Sequence, residues 1–414
     1  MATARRSMIV TFKRKDQRPE RNKDKVEILR SALTQGTDPH FFNAMTLPMG
    51  STLPMAAEAH LVGYDVNQYE VPIVTAHLTS AETDALRKNG NVATVEEDMP
   101  CYAIGPFDHL AVENQPSVLA ETIPTGVAQI SAPAAWDYSQ GKDIRVAVVD
   151  TGIDFTHPDL RPNYRGGISF VPGTPSPMDN MGHGTHCAGT IAAAMNGSGV
   201  VGVAPLASLY AVKVLDQNGS GQFSWIIAGI DWCIQNKMHI VSMSLGASAA
   251  PAAMGAMCNT AWAKGLLLVA AAGNENITDP VPPAASNVGY PGKYKNVIAV
   301  SAIDSTNVIT NFSSRGAEVD LCAPGLNVLS TRLGGGFTTM SGTSMACPHV
   351  AGLAALVWGS HRYSNNEQIW NLIASSVDNL GPPGWDMLTG YGRVNARTAA
   401  ASMASPPVVA KRGV

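Results

Sequence analysis

Charge is scarce in this chain of 414 residues: Lys, Arg, Asp and Glu together make up 14% of it, and 28 basic residues face 32 acidic ones, for a net charge of −4. Without a basic excess to neutralise phosphates, nucleic acid is not an expected partner. Nothing electrostatic points to a membrane surface either. Long hydrophobic runs are missing too. No apolar stretch reaches the roughly 18 residues that span a bilayer, and the N-terminus, MATARRSMIVTFKRKDQRPE, returns to charge after a few apolar positions, so no signal peptide is visible. Cysteine is sparse. Cys101, Cys187, Cys233, Cys258, Cys322 and Cys347 are too scattered for a disulfide scaffold, and no CxxC pair suggests zinc. A Cys233–Cys258 bridge between neighbouring helices stays conceivable. What is plentiful is Gly (39), Pro (27) and hydrophobic residues (45%), which suits a compact α/β enzyme with tight loops. The length calls for one large domain and a smaller one.

Two regions differ in pattern. Residues 1 to about 119 carry basic clusters such as KRKDQRPERNKDK, a strand-like MIVTF near the start and a second strand, Val92 to Val95, near the end. Between them LTSAETDALRKNG reads as a helix with Thr79 or Ser80 at its N-cap, acids in the first turn and Gly90 past its end. This predicts a small α+β unit. From about Asp143 onward, short apolar runs (IRVAVVD, LYAVKVL, HIVSMSL, GLLLVAAAG, NVIAVSA) alternate with helix-length segments. Strands that are apolar on both faces and so spaced predict a doubly wound, mostly parallel sheet flanked by helices. In such sheets chemistry gathers at the C-terminal strand ends. The last stretch, SPPVVAKRGV, reads as a loose tail.

Three segments fall at such ends. Asp150 closes IRVAVVD and is followed by Thr151-Gly152; by itself it is equally a turn or capping Asp. His183 lies in GHGTHCAG at the start of a small-residue helix, where it could cap, be buried, or share a metal with His186, although the HExxH pattern is absent. Ser344 lies in GTSMACPHVAG ahead of the apolar helix VAGLAALVW, a place that also suits an N-cap Ser. Together they meet what acyl transfer requires. A Ser needs a base to take its proton, and the base needs a carboxylate to fix its tautomer and stabilise the imidazolium. A helix N-terminus adds a positive dipole beside the developing oxyanion.

DTGID, HGTHCAG and GTSMACPHVAG, in that order, resemble the signatures of the subtilisin family, including its proteinase K relatives, over about Ile123 to Ala400. The resemblance implies a serine endopeptidase with Ser344 as nucleophile, His183 as general base then acid, Asp150 as orienting carboxylate, and Asn274 in AAAGNE as the oxyanion donor beside the Ser344 backbone N–H. It implies that Gly219-Ser220-Gly221 and Ser244-Leu245-Gly246 grip a peptide substrate between two backbone edges, with Ala271, Ala272 and Gly273 also lining the substrate site. Gly289 would then keep the primary pocket roomy for Phe, Tyr, Leu or Met, with Glu275 at its rim. Broad specificity follows, a narrow processing protease or a silent binding module being the alternatives. A structural Ca²⁺ is implied by Asp159 and the loop residues Ala194, Asn196, Ser198 and Val200, with Glu121 standing where the common pattern has Gln. Cys187 and Cys347, each about one helical turn from a catalytic group, read as small buried hydrophobes or as points of attack for mercurials.

The first and last strands of the N-terminal unit resemble those of the family's inhibitory prodomain, which assists folding and occupies the active site until cut. That gives a prodomain over 1–119 with a linker from about 103, a catalytic domain over 120–400 and a tail over 401–414. In relatives the acids of such an EED segment cap catalytic-domain helices, a role open to Glu97 and Asp98. Alignment places processing near Leu119 and Ala120, with cleavage after Tyr102 as competitor. The resemblance favours a secreted monomer, and the lack of a visible signal leaves action inside the cell as the alternative.

Overall fold

A computed structural model describes residues 5–14, 17, 62–66, 73–104, 114–115, 120–275, 285–362, 364–402 and 408–409. Within the N-terminal unit, strands β1 (Arg6–Phe12), β2 (Val62–Val66), β3 (Ile73–Leu78) and β4 (Val92–Glu97) form an antiparallel sheet in the order β2-β3-β1-β4, with helix α1 (Ser80–Lys88) packed on it. Thr79 caps α1 in a reciprocal pairing with Glu82, and Arg5 pairs with the same carboxylate. The MIVTF run is buried throughout because both sheet faces are covered. Met8, Val10 and Phe12 alternate toward α1, joining Leu78, Leu86 and Val95. Ile9 and Ile73 point the other way, into a core of the large domain.

The chain then forms β5 (Pro100–Ala103) and the short β6 (Asn114–Gln115) before entering the large domain at α2 (Thr125–Gln129). There follow β7 (Arg145–Asp150), β8 (Tyr164–Ser169), α3 (His183–Ala192), β9 (Ser208–Lys213), β10 (Ser220–Gln222), α4 (Phe223–Gln235), β11 (Ile240–Met243), β12 (Leu245–Gly246), α5 (Ala252–Ala263), β13 (Leu267–Ala271), β14 (Ile298–Ile303), β15 (Val319–Pro324), β16 (Val328–Thr331), β17 (Phe337–Met340), α6 (Thr343–Ser360), α7 (Asn366–Ser375) and α8 (Ala396–Ala401). Seven strands form one parallel sheet in the order β15-β14-β13-β11-β7-β9-β8. From β7 the chain winds toward β8 on one side and, after β9, toward β15 on the other. The crevice of such a sheet opens where the order reverses, at the ends of β7 and β11.

Side chains alternating off these strands feed two cores. One lies against α3, α6, α7 and α8; the other lies against α4 and α5 and takes in Ile9, Ile73 and Cys101. Two details differ from expectation. All six cysteines are buried free thiols, so Cys233 and Cys258 form no bridge. In the tail, Val409 is pinned to α7: its N–H donates to Asn371 Oδ1 at 2.8 Å and its carbonyl accepts from Trp370 Nε1 at 2.9 Å. Among the described residues no helix is long and apolar enough to cross a membrane.

Candidate active site

Asp150 ends β7, fully buried, and its Oδ1 accepts hydrogen bonds from His183 Nδ1 at 2.8 Å and from the Thr151 N–H at 2.7 Å. The acceptor fixes the proton on Nδ1 and leaves Nε2 as the basic nitrogen. The approach of α3 to the strand end requires glycine: a Cβ on Gly184 would lie 2.1 Å from Gly152 O and 3.2 Å from Asp150 Oδ1. Burial opposes charge on His183, yet the charge and hydrogen bond of Asp150, with Asp179 behind them, raise its pKa above the ordinary imidazole value. His186 does not share a ligand position with it. Its Nε2 bonds Val328 O at 2.9 Å, and burial lowers its pKa to about 3.

Ser344 is the second residue of α6, whose N-cap is Gly342, not Ser344 itself. Pro348 lies four residues on and has no N–H, so the Ser344 carbonyl loses its helical partner. Two side chains fill the vacancy: Ser244 Oγ donates to Ser344 O at 2.9 Å and Cys187 Sγ at 3.5 Å. Burial raises the Cys187 thiol well above its usual range, so it sits as a neutral donor. Asn274 follows Gly273, which takes φ +118°. Its Oδ1 accepts from the Thr343 N–H and Oγ1, both at 2.9 Å, which fixes the amide and turns Nδ2 the other way. Thr343, next to the nucleophile, and Pro348 had no assigned role in the sequence; the i, i+4 relation of Ser344 and Pro348 was the available signal.

The substrate residues surround a segment of the chain itself. β5 lies antiparallel between β10 and β12, with Cys101 opposite Gly221 and Tyr102 opposite both Ser220 and Gly246. The Ala103 N–H donates to Gly219 O at 2.7 Å and the Ile104 N–H to Ser244 O at 3.3 Å, while Ser344 Oγ donates to Ile104 O at 2.5 Å. The Ser344 hydroxyl therefore meets the carbonyl of Ile104 and not that of Tyr102, while Leu119 lies outside the described residues. Tyr102 stands two residues back and is 51% exposed. Ala103, expected to open a linker, is strand. The wall beside Ile104 is bare: a Cβ on Gly246 would meet Ile104 Cδ1 at 3.2 Å. Ala271 ends β13, and Ala272 O accepts from the Gly289 N–H at 2.8 Å, which joins these residues to Gly289. A Cβ on Gly289 would meet only ordinary contacts, the nearest Ala247 O at 3.4 Å, so packing does not demand glycine there.

The acids meet the helices with one correction. Glu96 accepts from the Ala252 and Ala253 N–H groups at the start of α5, and Asp98 from the Ser224 N–H and Oγ at the start of α4. Glu97 points away, 4.0 Å from Arg6, because strand residues two apart share a face. On the far side of α3, Glu121 Oε1 accepts from the Asn196 and Gly197 N–H groups at 2.6 and 2.7 Å, and Asp159 bonds Asn196 Nδ2 and the Val200 N–H. Ala194 is tied to the same acid, its N–H donating to Asp159 O, and Ser198 bonds Asn196 Oδ1. Two carboxylates and an amide are the hard-oxygen residue types that suit Ca²⁺, and here they are hydrogen-bonded to the loop's N–H groups and to one another. Gly199 keeps that cradle open, since a Cβ there would fall 2.1 Å from Asp159 Oδ2.

A family model described as Subtilase family matches residues 141–392. Subtilisin E of Bacillus subtilis (strain 168) is 45% identical over 334 residues, which cover 80% of this chain and 81% of that protein. Subtilisin of Bacillus pumilus is 47% identical over 285 residues, 68% of this chain and 100% of that protein. M-protease of Shouchella clausii (strain KSM-K16) is 42% identical over 330 residues, covering 80% of this chain and 79% of that protein.

Proposed function

The chain belongs to the subtilase family and is a serine endopeptidase, and from that premise we propose that Asp150, His183 and Ser344 are its triad and that it matures by cutting its own chain after Ile104. His183 Nε2 takes the proton of Ser344 Oγ as the oxygen attacks the scissile carbonyl. Asn274 Nδ2 and the Ser344 N–H receive the oxyanion, and Asp150 stabilises the imidazolium. His183 then returns the proton to the leaving amine, giving an acyl-enzyme that water hydrolyses by the same steps reversed.

Binding through β10 and β12 reads main chain, which suits broad specificity. The bare wall at Gly246 and the room at Gly289 favour a large apolar residue before the cut. Residues 1–104 act as the inhibitory prodomain, a boundary set by the register of β5. A Ca²⁺ held by Glu121, Asp159, Asn196 and the carbonyls of Ala194, Ser198 and Val200 would brace the loop after α3. When bound it supplies charge neutralisation and cross-linking, with no part in the chemistry.

What carries the reading is the Ile104 carbonyl accepting from Ser344 Oγ, alongside the buried Asp150–His183 hydrogen bond. The test compares the full-length chain with Ser344→Ala by mass and by hydrolysis of a chromogenic peptide with Phe before the scissile bond. Wild type should lose residues 1–104 and cleave the peptide, and the variant should do neither. A cut after Tyr102 or Leu119 would overturn the register. Two inert, full-length proteins would hand the site to the silent-module reading.

A further inference from the structure

Helix α3 carries the general base, yet its N-cap, Gly182, has no side chain to satisfy the first-turn amides. The work is done from outside the helix by a carboxylate that is only 3% exposed. Asp179 Oδ1 accepts from Thr151 Oγ1 and from the Met181 and Gly182 N–H groups, each at 2.9 Å. Its Oδ2 accepts from the Thr185 N–H at 2.9 Å and Thr185 Oγ1 at 2.6 Å. Thr151 in turn receives the Gly184 N–H on its Oγ1 at 2.9 Å and gives its own N–H to Asp150. One buried acid thus joins the turn after Asp150 to the turn that launches His183.

A buried lysine stands behind it. Lys213, fully buried at the end of β9, donates to Thr151 O, to Asn180 Oδ1 at 2.8 Å and to Leu215 O at 3.0 Å. We propose that Asp179 is a positioning residue for the proteolytic reaction, fixing His183 against Asp150 and sharing in the stabilisation of its cation, with the Lys213 ammonium as the counter-charge behind it. The inference rests on His183 being the base. Two carboxylates and one ammonium leave this buried cluster with one uncompensated negative charge, and protonated His183 supplies the missing positive charge in the transition state.

The ionisable groups around His183 are few. Asp150 comes from β7, Asp179 from the loop before α3, Lys213 from β9, His186 and Cys187 from α3, and Cys347 from α6; Asp216 also faces Lys213. His186 is neutral with its pKa lowered to about 3, and burial pushes the Cys187 thiol well up and the Cys347 thiol to about 11. Across the working range, charge near His183 comes from Asp150, Asp179 and Lys213. Burial lowers the Lys213 pKa against the pull of Asp179, Asp150 and Asp216.

The experiment measures kcat, KM and the pH profile of kcat/KM for the full-length chain after self-processing, on the Phe peptide, in Asp179→Asn, Lys213→Met and His183→Ala. Asp179→Asn should lower kcat by about ten-fold or more with KM nearly constant. It should also move the acid limb of kcat/KM down by about half a pH unit, because a negative charge near the base is gone. Lys213→Met should move that limb up. A merely structural role would change yield and melting without these opposed shifts. If Asp179→Asn keeps the wild-type limb and a kcat within about twofold, the proposal falls. If Asp179→Asn does not fold, the Lys213→Met profile decides alone, and an unmoved limb overturns it. His183→Ala separates the two readings: retained activity there sinks the triad, whereas loss there with silent Asp179 and Lys213 variants sinks only this inference.

Discussion

The N-terminal unit and the catalytic domain both contain strands covered on two faces, but only one of them covers its strands unaided. The parallel sheet places its own helices on both sides; one of its cores is built from its own buried residues and the other adds only Ile9, Ile73 and Cys101 from the N-terminal region. Among the described residues the four-stranded sheet carries one helix and a core of nine residues, and its other face, through Ile9 and Ile73, joins the core that holds α4 and α5 of the large domain. The debt runs both ways. Helices α4 and α5 begin at Gln222 and Pro251 without side-chain caps of their own, and Asp98 and Glu96 of the N-terminal unit supply them. The N-terminal sheet relies on the large domain to bury Ile9 and Ile73, so its fold and its hold on that domain are coupled, whereas the large domain stands mainly on its own packing.

That asymmetry can be broken most strongly at the loop proposed to hold Ca²⁺. Chelation should destabilise the processed catalytic domain by about 3–4 kcal/mol if the ion is held at 100 to 1,000 times its dissociation constant, with a melting drop of roughly 10 °C. The inhibition constant of an added 1–104 fragment should hardly move, because Glu121 and Asp159 lie at the loop after α3 and not on α4 or α5. A melting point indifferent to chelator would remove Ca²⁺ from the account. At the interface, Ile9→Ala deletes a fully buried side chain and should cost about 2–3 kcal/mol, or about 30- to 150-fold in the fragment's inhibition constant. An effect under threefold would mean that the shared core does not hold the two parts together.

How much of this was readable in advance follows from where each residue sits in the sheet. The five central strands were legible because they are apolar on both faces. The two edge strands were not. β8, YRGGIS, carries Gly167 where a Cβ would fall 2.2 Å from Ala211 O, and β15 carries Asp320, whose carboxylate is spent on the Ala299 N–H. Neither pattern advertises a strand. Asp150, His183, Asn274 and Ser344 could be picked out because glycine-flanked turns and the family motifs mark them; the network behind them could not, since Asp179 and Lys213 meet only through the fold. The carbonyl that meets Ser344 was beyond reach of the sequence for a related reason. Alignment weighs where the catalytic domain begins, while the register of β5 decides which carbonyl reaches Ser344, and fifteen residues separate Ile104 from Ala120.

The finest test of the comparison is the run Glu96, Glu97, Asp98. Alternation along the strand sends Glu96 and Asp98 toward helix N-termini and Glu97 toward solvent, so composition alone would treat as equal three acids that the structure separates. Removing a helix cap costs about 0.5–2 kcal/mol, so Glu96→Ala and Asp98→Ala should each weaken inhibition by the 1–104 fragment by about 2- to 30-fold. Glu97→Ala should leave it unchanged. Asp98→Asn should lose less than Asp98→Ala. Burial, outweighing the hydrogen bonds from Ser224 and Ser7, already raises the Asp98 pKa in the docked state, so a neutral acceptor is tolerated there. The same shift makes inhibition weaken as pH climbs from the ordinary carboxylate value of 3.8 through the raised one, and level off above it. Equal effects at all three positions would mean that general negative charge, and not the register of β4, brings the unit to the enzyme.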